Sequence, residues 1–136
     1  MKKKRWLVLL FCLAVLCAVC AVWFVSAGRR PYRDLQPSDI VSATVRLSPP
    51  DKTVPVTDIP ELTGYLRQIV IYRRDNSYTA YAGQAAVFTL TMADGSQEEI
   101  VAYNPFVILN GTGYRTQYAP CEELNRYANR LLEEAG

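Results

Sequence analysis

Residues 86–103 read AVFTLTMADGSQEEIVAY, and this stretch decides the fold. Ala86, Phe88, Leu90 and Met92 alternate with Val87, Thr89 and Thr91, the period of two that puts alternate side chains on opposite faces of a strand. Ala93-Asp94-Gly95 supplies a hairpin turn, and Gln97 to Tyr103 returns as the partner strand. Downstream, Phe106 to Leu109 and Tyr114 to Tyr118 form a second expected hairpin around Asn110-Gly111. Upstream, Val41, Ala43, Val45 and Leu47 alternate with Ser42, Thr44 and Arg46, another half-buried strand, which Pro49-Pro50-Asp51 ends.

Two helices complete the pattern. Asp58 with Glu61 three residues on is a capping-box spacing, and Ile59, Leu62, Leu66 and Ile69 follow at helical intervals, with Gly64 weakening the helix. Ile69-Val70-Ile71-Tyr72 is β-branched and aromatic and reads as the next strand. Pro120 suits the start of a C-terminal helix because its missing N–H costs nothing there. Cys121, Leu124, Tyr127, Ala128, Leu131 and Leu132 form its apolar stripe, and Glu122 and Glu123 are expected in its first turn, near the positive end of the dipole. The order strand, helix, four or five strands, helix implies an α+β domain: a mainly antiparallel sheet with two helices on one face.

The charge divides sharply along the chain. Residues 1–5 carry four positive groups; residues 6–27 carry none, and all but Ser26 are apolar. Residues 28–136 carry 11 basic and 13 acidic groups, so the formal net charge of +2 belongs to the N-terminal tail. The dense basic cluster abuts an apolar run, which excludes a basic nucleic-acid binder. Residues 6–27 are long enough to cross about 30 Å of hydrocarbon. They are flanked by Trp6 and Trp23 at the expected interfaces. The expected organisation is a cytoplasmic tail (1–5), a transmembrane signal anchor (6–27), a polar, proline-containing stalk (28–39) and an extracytoplasmic domain (40–136). Lys2, Lys3, Lys4 and Arg5 direct the tail inward, although Arg29, Arg30 and Arg33 on the far flank oppose that bias. The alternative is secretion after signal-peptide cleavage at Ala27, where Val25-Ser26-Ala27 presents permitted residues, but the run exceeds the usual apolar region of a signal peptide. Neither Cys17 nor Cys20 sits in a lipobox-like context.

The candidate chemistry is sparse. The chain has no histidine, which removes Ser-His-Asp and Cys-His catalysis and any histidine-ligated metal. Cys12, Cys17 and Cys20 lie in the apolar run as small apolar residues. Cys121 falls on the helix stripe without a base and reads as buried structure. Glu98 and Glu99 are adjacent on a strand and point to opposite faces. Lys52 has no supported pairing with Ser38 or Ser48, and Asn110-Gly111-Thr112 fits a hairpin turn as well as a glycosylation sequon. No catalytic residue, metal ligand or cofactor is assigned.

The least ordinary feature is tyrosine. All nine lie beyond residue 28. Tyr72, Tyr78 and Tyr81 surround the polar segment Arg73-Arg74-Asp75-Asn76. The candidate ligand- or partner-binding residues are Tyr78, Tyr81, Tyr103 and Tyr114, since tyrosine offers contact area at low entropy cost. The competing reading is that tyrosine favours half-buried strand positions.

Three stretches, IVSATVRLSPPDKTV (40–54), IVIYRRDNSYTAYAGQAAVFTLTMADG (69–95) and AYNPFVILNGTGYRTQYAPCEELNRYANRLL (102–132), resemble a group of small membrane-anchored proteins of Gram-positive bacteria with no assigned activity. The resemblance spans Leu35 to Leu132. It implies a cell-envelope location and carries over no functional residue. The expectation is a single-pass membrane protein that contacts the bilayer through residues 6–27 and presents a domain to an envelope protein, peptide or glycan, not to nucleic acid. The alternatives are an extracytoplasmic enzyme or enzyme inhibitor with a non-local site, or an accessory subunit of a membrane assembly.

Overall fold

The computed structural model describes residues 2–135. Its elements are α1 (Lys2–Ser26), a 3-10 turn (Pro37–Asp39), β1 (Ile40–Ser48), β2 (Lys52–Val56), α2 (Ile59–Arg67), β3 (Ile71–Arg74), a second 3-10 turn (Ser77–Ala80), β4 (Ala85–Met92), β5 (Gln97–Tyr103), β6 (Phe106–Leu109), β7 (Thr112–Thr116) and α3 (Tyr118–Ala135). The seven strands form one sheet in the order β2-β1-β4-β5-β6-β7-β3. Every neighbouring pair is antiparallel. The domain is α+β, with α2 and α3 packed on the same face of the sheet.

The alternating residues of the opening stretch explain that packing. Ala86, Phe88, Leu90, Ile100 and Ala102 are fully buried and meet Leu62 and Leu66 of α2 and Leu124, Tyr127 and Ala128 of α3. Each large side chain buried this way stabilises the fold by about 1.5–3 kcal/mol. The turn between β4 and β5 is closed by Gly95 at φ 88° and by Asp94, which accepts hydrogen bonds from the N–H (2.9 Å) and Oγ (2.6 Å) of Ser96. Asn110 and Gly111 both have positive φ, 49° and 86°, the geometry of a two-residue hairpin turn. The Asn110 side chain is engaged there, accepting from Glu99 N–H and donating to Glu98, each at 2.8 Å.

Several boundaries depart from the sequence reading, each for a local reason. Lys52–Val56 is a strand, β2, where the sequence suggests no element between Pro49-Pro50-Asp51 and the helix at Asp58. Pro55 is exposed on an edge strand, where a missing N–H costs no ladder bond. Val41 is 66% exposed because the β1 register shifts between Ile40 and Ser42; the bulge turns Ile40 inward in its place. The expected strand at residues 69–72 forms at Ile71–Arg74, with Ile69 buried in the connection. The second hairpin ends at Thr116, and α3 begins at Tyr118, two residues before Pro120. Glu122 and Glu123 therefore fall beyond the first turn and pair with Arg126 at 3.6 and 3.3 Å. The capping box is half realised: Asp58 accepts from Glu61 N–H at 3.0 Å, while the Glu61 carboxylate pairs with Arg130 of α3 and ties the two helices together.

The N-terminal helix α1 is long and apolar enough to cross a membrane, and none of the 22 residues from Lys2 to Trp23 is buried by the rest of the chain. Residues 28–39, expected as a stalk, lie against the domain. Arg29 forms an antiparallel bridge with Ile71, Tyr32 and Leu35 pack on the core, and the Tyr32 hydroxyl donates to Glu98 at 3.3 Å. Burial and the neighbouring Glu98 charge push the Tyr32 phenol well above its ordinary range.

Candidate functional site

The strand order forces the chain to cross the helix-free face of the sheet. β3 lies at one edge, beyond β7, whereas β4 lies between β1 and β5. Residues 75–84 therefore pass over β7, β6 and β5, about 20 Å at the usual strand spacing, which ten extended residues can span. Gly113 of β7 admits this crossing: a Cβ there would collide with the Asp75 carbonyl oxygen and come within 2.7 Å of the Tyr78 ring. The segment is pinned by Asp75 N–H to Gly113 C=O (2.8 Å), Gly113 N–H to Asn76 Oδ1 (2.8 Å) and Tyr103 O–H to Tyr81 C=O (2.6 Å). Beneath it Phe106, fully buried on this face, meets Tyr81 edge-on at 5.1 Å and Tyr78 at 6.3 Å, with the Arg115 guanidinium 4.5 Å from its ring centroid.

Asp75 fixes that guanidinium through a 2.9 Å ion pair and also accepts from Ser77 N–H. The Ser77 hydrogen bonds, followed by Arg115, hold the Asp75 carboxyl well below the usual carboxylate range. A depressed carboxyl contributes stability that is complete above its unfolded value, near 4, and is lost only as pH falls through the lower folded value. Asp75→Asn is expected to lower the melting temperature relative to the parent by the same amount at pH 7 and pH 5. That gap should shrink only in strongly acidic solution. A gap that closes by pH 5 in parallel thermal melts would contradict the pairing.

The crossing segment covers part of this face and leaves a groove of about 430 Å³ beside it. Register places Arg46, Val87, Val101, Ile108 and Gly113 in one row across five strands, and the three aliphatic side chains form the floor. Tyr78 and Tyr103 form the wall towards the crossing segment, while Arg46 and Glu99 bring opposite charges to the lining. Arg46 is also held by Asp51 at 3.2 Å.

Of the four tyrosines selected from sequence, Tyr78, Tyr81 and Tyr103 come together on this face, with Tyr78 and Tyr103 lining the groove and Tyr81 set over Phe106. Tyr114 does not. It pairs in register with Val107 and packs on the core beneath the helices, on the opposite face of the sheet. Glu98 and Glu99 likewise separate, Glu98 towards Tyr32 on the helix side and Glu99 into the groove. Cys121 is buried beside the Phe106 carbonyl, and desolvation pushes its thiol up to about 12. Sequence reasoning missed Arg46, Val87, Val101 and Ile108. The available signal was that Val87 and Val101 are apolar at positions whose alternation turns them away from the helices.

Comparison with known proteins gives no match: no protein-family model, no curated protein and no solved structure matches the chain.

Proposed function

We propose that the protein is a single-pass membrane protein whose outer domain binds a peptide or glycan segment of a cell-envelope partner in the groove on the helix-free face of the sheet. The observation that carries this reading is the groove's composition. A row of three aliphatic side chains, Val87 and Val101 half-buried and Ile108 buried, floors the groove below a wall of two tyrosines, with an arginine and a glutamate at its margin. A concave apolar floor with a few convergent polar groups is the usual form of a ligand site, and 430 Å³ lies within the usual range. The length and composition of α1 support the anchor, and Lys2, Lys3, Lys4 and Arg5 support an inward tail. The resemblance to membrane-anchored proteins of Gram-positive bacteria supports an envelope location.

The test fills the groove without disturbing the helix-side core. Val101→Trp adds a large side chain to the half-buried floor of the groove on β5. It is expected to reduce recovery of the bound partner from gently solubilised membranes at least tenfold, with the thermal melt within a few degrees of the parent. Undiminished recovery with the groove blocked would overturn the site.

A further inference from the structure

Of the 11 basic side chains in residues 28–136, Arg46, Arg115, Arg126 and Arg130 form ion pairs with carboxylates. Among the described residues, Arg29, Arg30, Arg33, Arg67, Arg73 and Arg74 form none, and they lie in one corner of the domain. Arg29 bridges Ile71, the first residue of the strand that carries Arg73 and Arg74. Arg30 Nε donates to the Arg67 carbonyl at 2.8 Å, and Arg67 Nε donates to the Arg33 carbonyl at 3.0 Å. These bonds link the segment after α1 to the last turn of α2. The acidic groups beside this corner are Asp34 and Asp75, next in sequence to Arg33 and Arg74, and Glu123, which lines a pocket with Arg30, so the six arginines outnumber them.

The corner is also the point where α1 leaves the domain. Arg29 follows Ser26, the last residue of α1, by three positions, so at most about 11 Å of extended chain separates them. Tyr72 lies against Gly28 at this junction, where an amphipathic ring suits a membrane interface. We propose that these six arginines bind the phosphates of anionic phospholipid headgroups in the leaflet that α1 crosses, and so seat the domain against the membrane surface by its β3 edge. The proposal rests on the reading of α1 as a membrane span. Guanidiniums without carboxylate partners carry positive charge that anions at the surface can neutralise. A planar guanidinium takes phosphate in a bidentate geometry, and clustered basic groups beside a span recognise anionic lipid. Seating by this edge leaves the groove, on the sheet face, open at the side.

The test uses the full chain reconstituted in nanodiscs of phosphatidylcholine alone and of equal phosphatidylcholine and phosphatidylglycerol, with hydrogen exchange read over residues 29–35 and 71–74. Exchange is expected to be about tenfold slower in the anionic discs. The triple variant Arg33→Gln, Arg73→Gln and Arg74→Gln removes side chains that make no hydrogen bond among the described residues, and it should lose most of that difference. Inorganic phosphate added to phosphatidylcholine discs should give no protection; protection equal to that of the lipid would identify a soluble-anion site and overturn the proposal. Equal exchange in both disc types, with the chain floating with the discs, overturns the headgroup site and leaves the membrane span standing. A chain that does not float with either disc overturns both.

Discussion

Gly113→Val is expected to lift the segment 75–84 off the sheet and to destabilise the domain by about 3 kcal/mol. The position has ordinary backbone geometry and lies mid-strand, so valine suits it locally. The obstacle is the crossing segment. A Cβ at Gly113 meets a backbone oxygen, Asp75 C=O, which cannot rotate aside as a side chain would. If the segment stays, the cost is overpacking, about 1–3 kcal/mol. If it leaves, the Asp75–Arg115 pair and both Gly113 backbone contacts break, and Phe106 loses Tyr78 and Tyr81. Exposing a phenylalanine of that burial costs about 1.5–3 kcal/mol. The melting temperature should fall by roughly 10–20 °C for a domain of this size. Trypsin should also cut after Arg74 much faster, because the bond enters a released loop. Partner recovery should fall with it, since Tyr78 leaves the groove wall. An unchanged melt and an unchanged cleavage rate would mean that the segment is not seated on β7.

The sheet was legible wherever one face packs on the helices. At residues 86–92 and 97–103 strict alternation reflects a face that is buried and a face that is not, and the hairpin turns carry Gly95 and Asn110-Gly111 where positive φ is needed. The edges were harder. β2 contains a proline that only an edge position tolerates, and nothing local in KTVPV tells which strand will be an edge. The site was half legible. Tyr78 and Tyr81 follow a visibly polar segment, but the strand to which the chain returns depends on a strand order set by the whole chain. Tyr114 illustrates the limit: it is one residue from Gly113 and Arg115, which face the crossing segment, and that single step sends it to the other side. Val87 and Val101 were readable as apolar residues on the outward register, yet that reading gains force only when register aligns them with Ile108.

The larger loss of stability is expected at Tyr127, and two substitutions there should move in opposite directions. The ring is 2% exposed and lies between Tyr65, stacked at 4.6 Å, and Phe88, parallel at 6.3 Å, with the Arg130 guanidinium 5.2 Å from its centroid. It therefore joins α3 to α2 and to the central strand β4. Truncation to alanine removes the aromatic contacts on both sides and leaves a cavity that the surrounding helices and sheet fill only partly. The expected cost is about 3–5 kcal/mol, a large fraction of the stability of a domain this small. Tyr127→Phe keeps the ring and removes a buried hydroxyl that has no hydrogen-bond partner among the described residues. Since an unpartnered buried hydroxyl is itself a cost, the phenylalanine variant should be as stable as the parent or more so. Alkaline pH sharpens the comparison. Burial first, then the charges of Glu61 and Asp58, push the Tyr127 phenol up to about 12. A raised phenol contributes stability below its unfolded value, near 10, and that contribution is lost as pH rises towards the folded value. The parent should lose melting temperature between pH 10 and pH 12 in excess of Tyr127→Phe, so the gap in favour of phenylalanine widens over that interval. Thermal melts of both variants across the interval decide the point. A phenylalanine variant as damaged as the alanine one would show that the hydroxyl is held by a partner and that the core is arranged differently around α3.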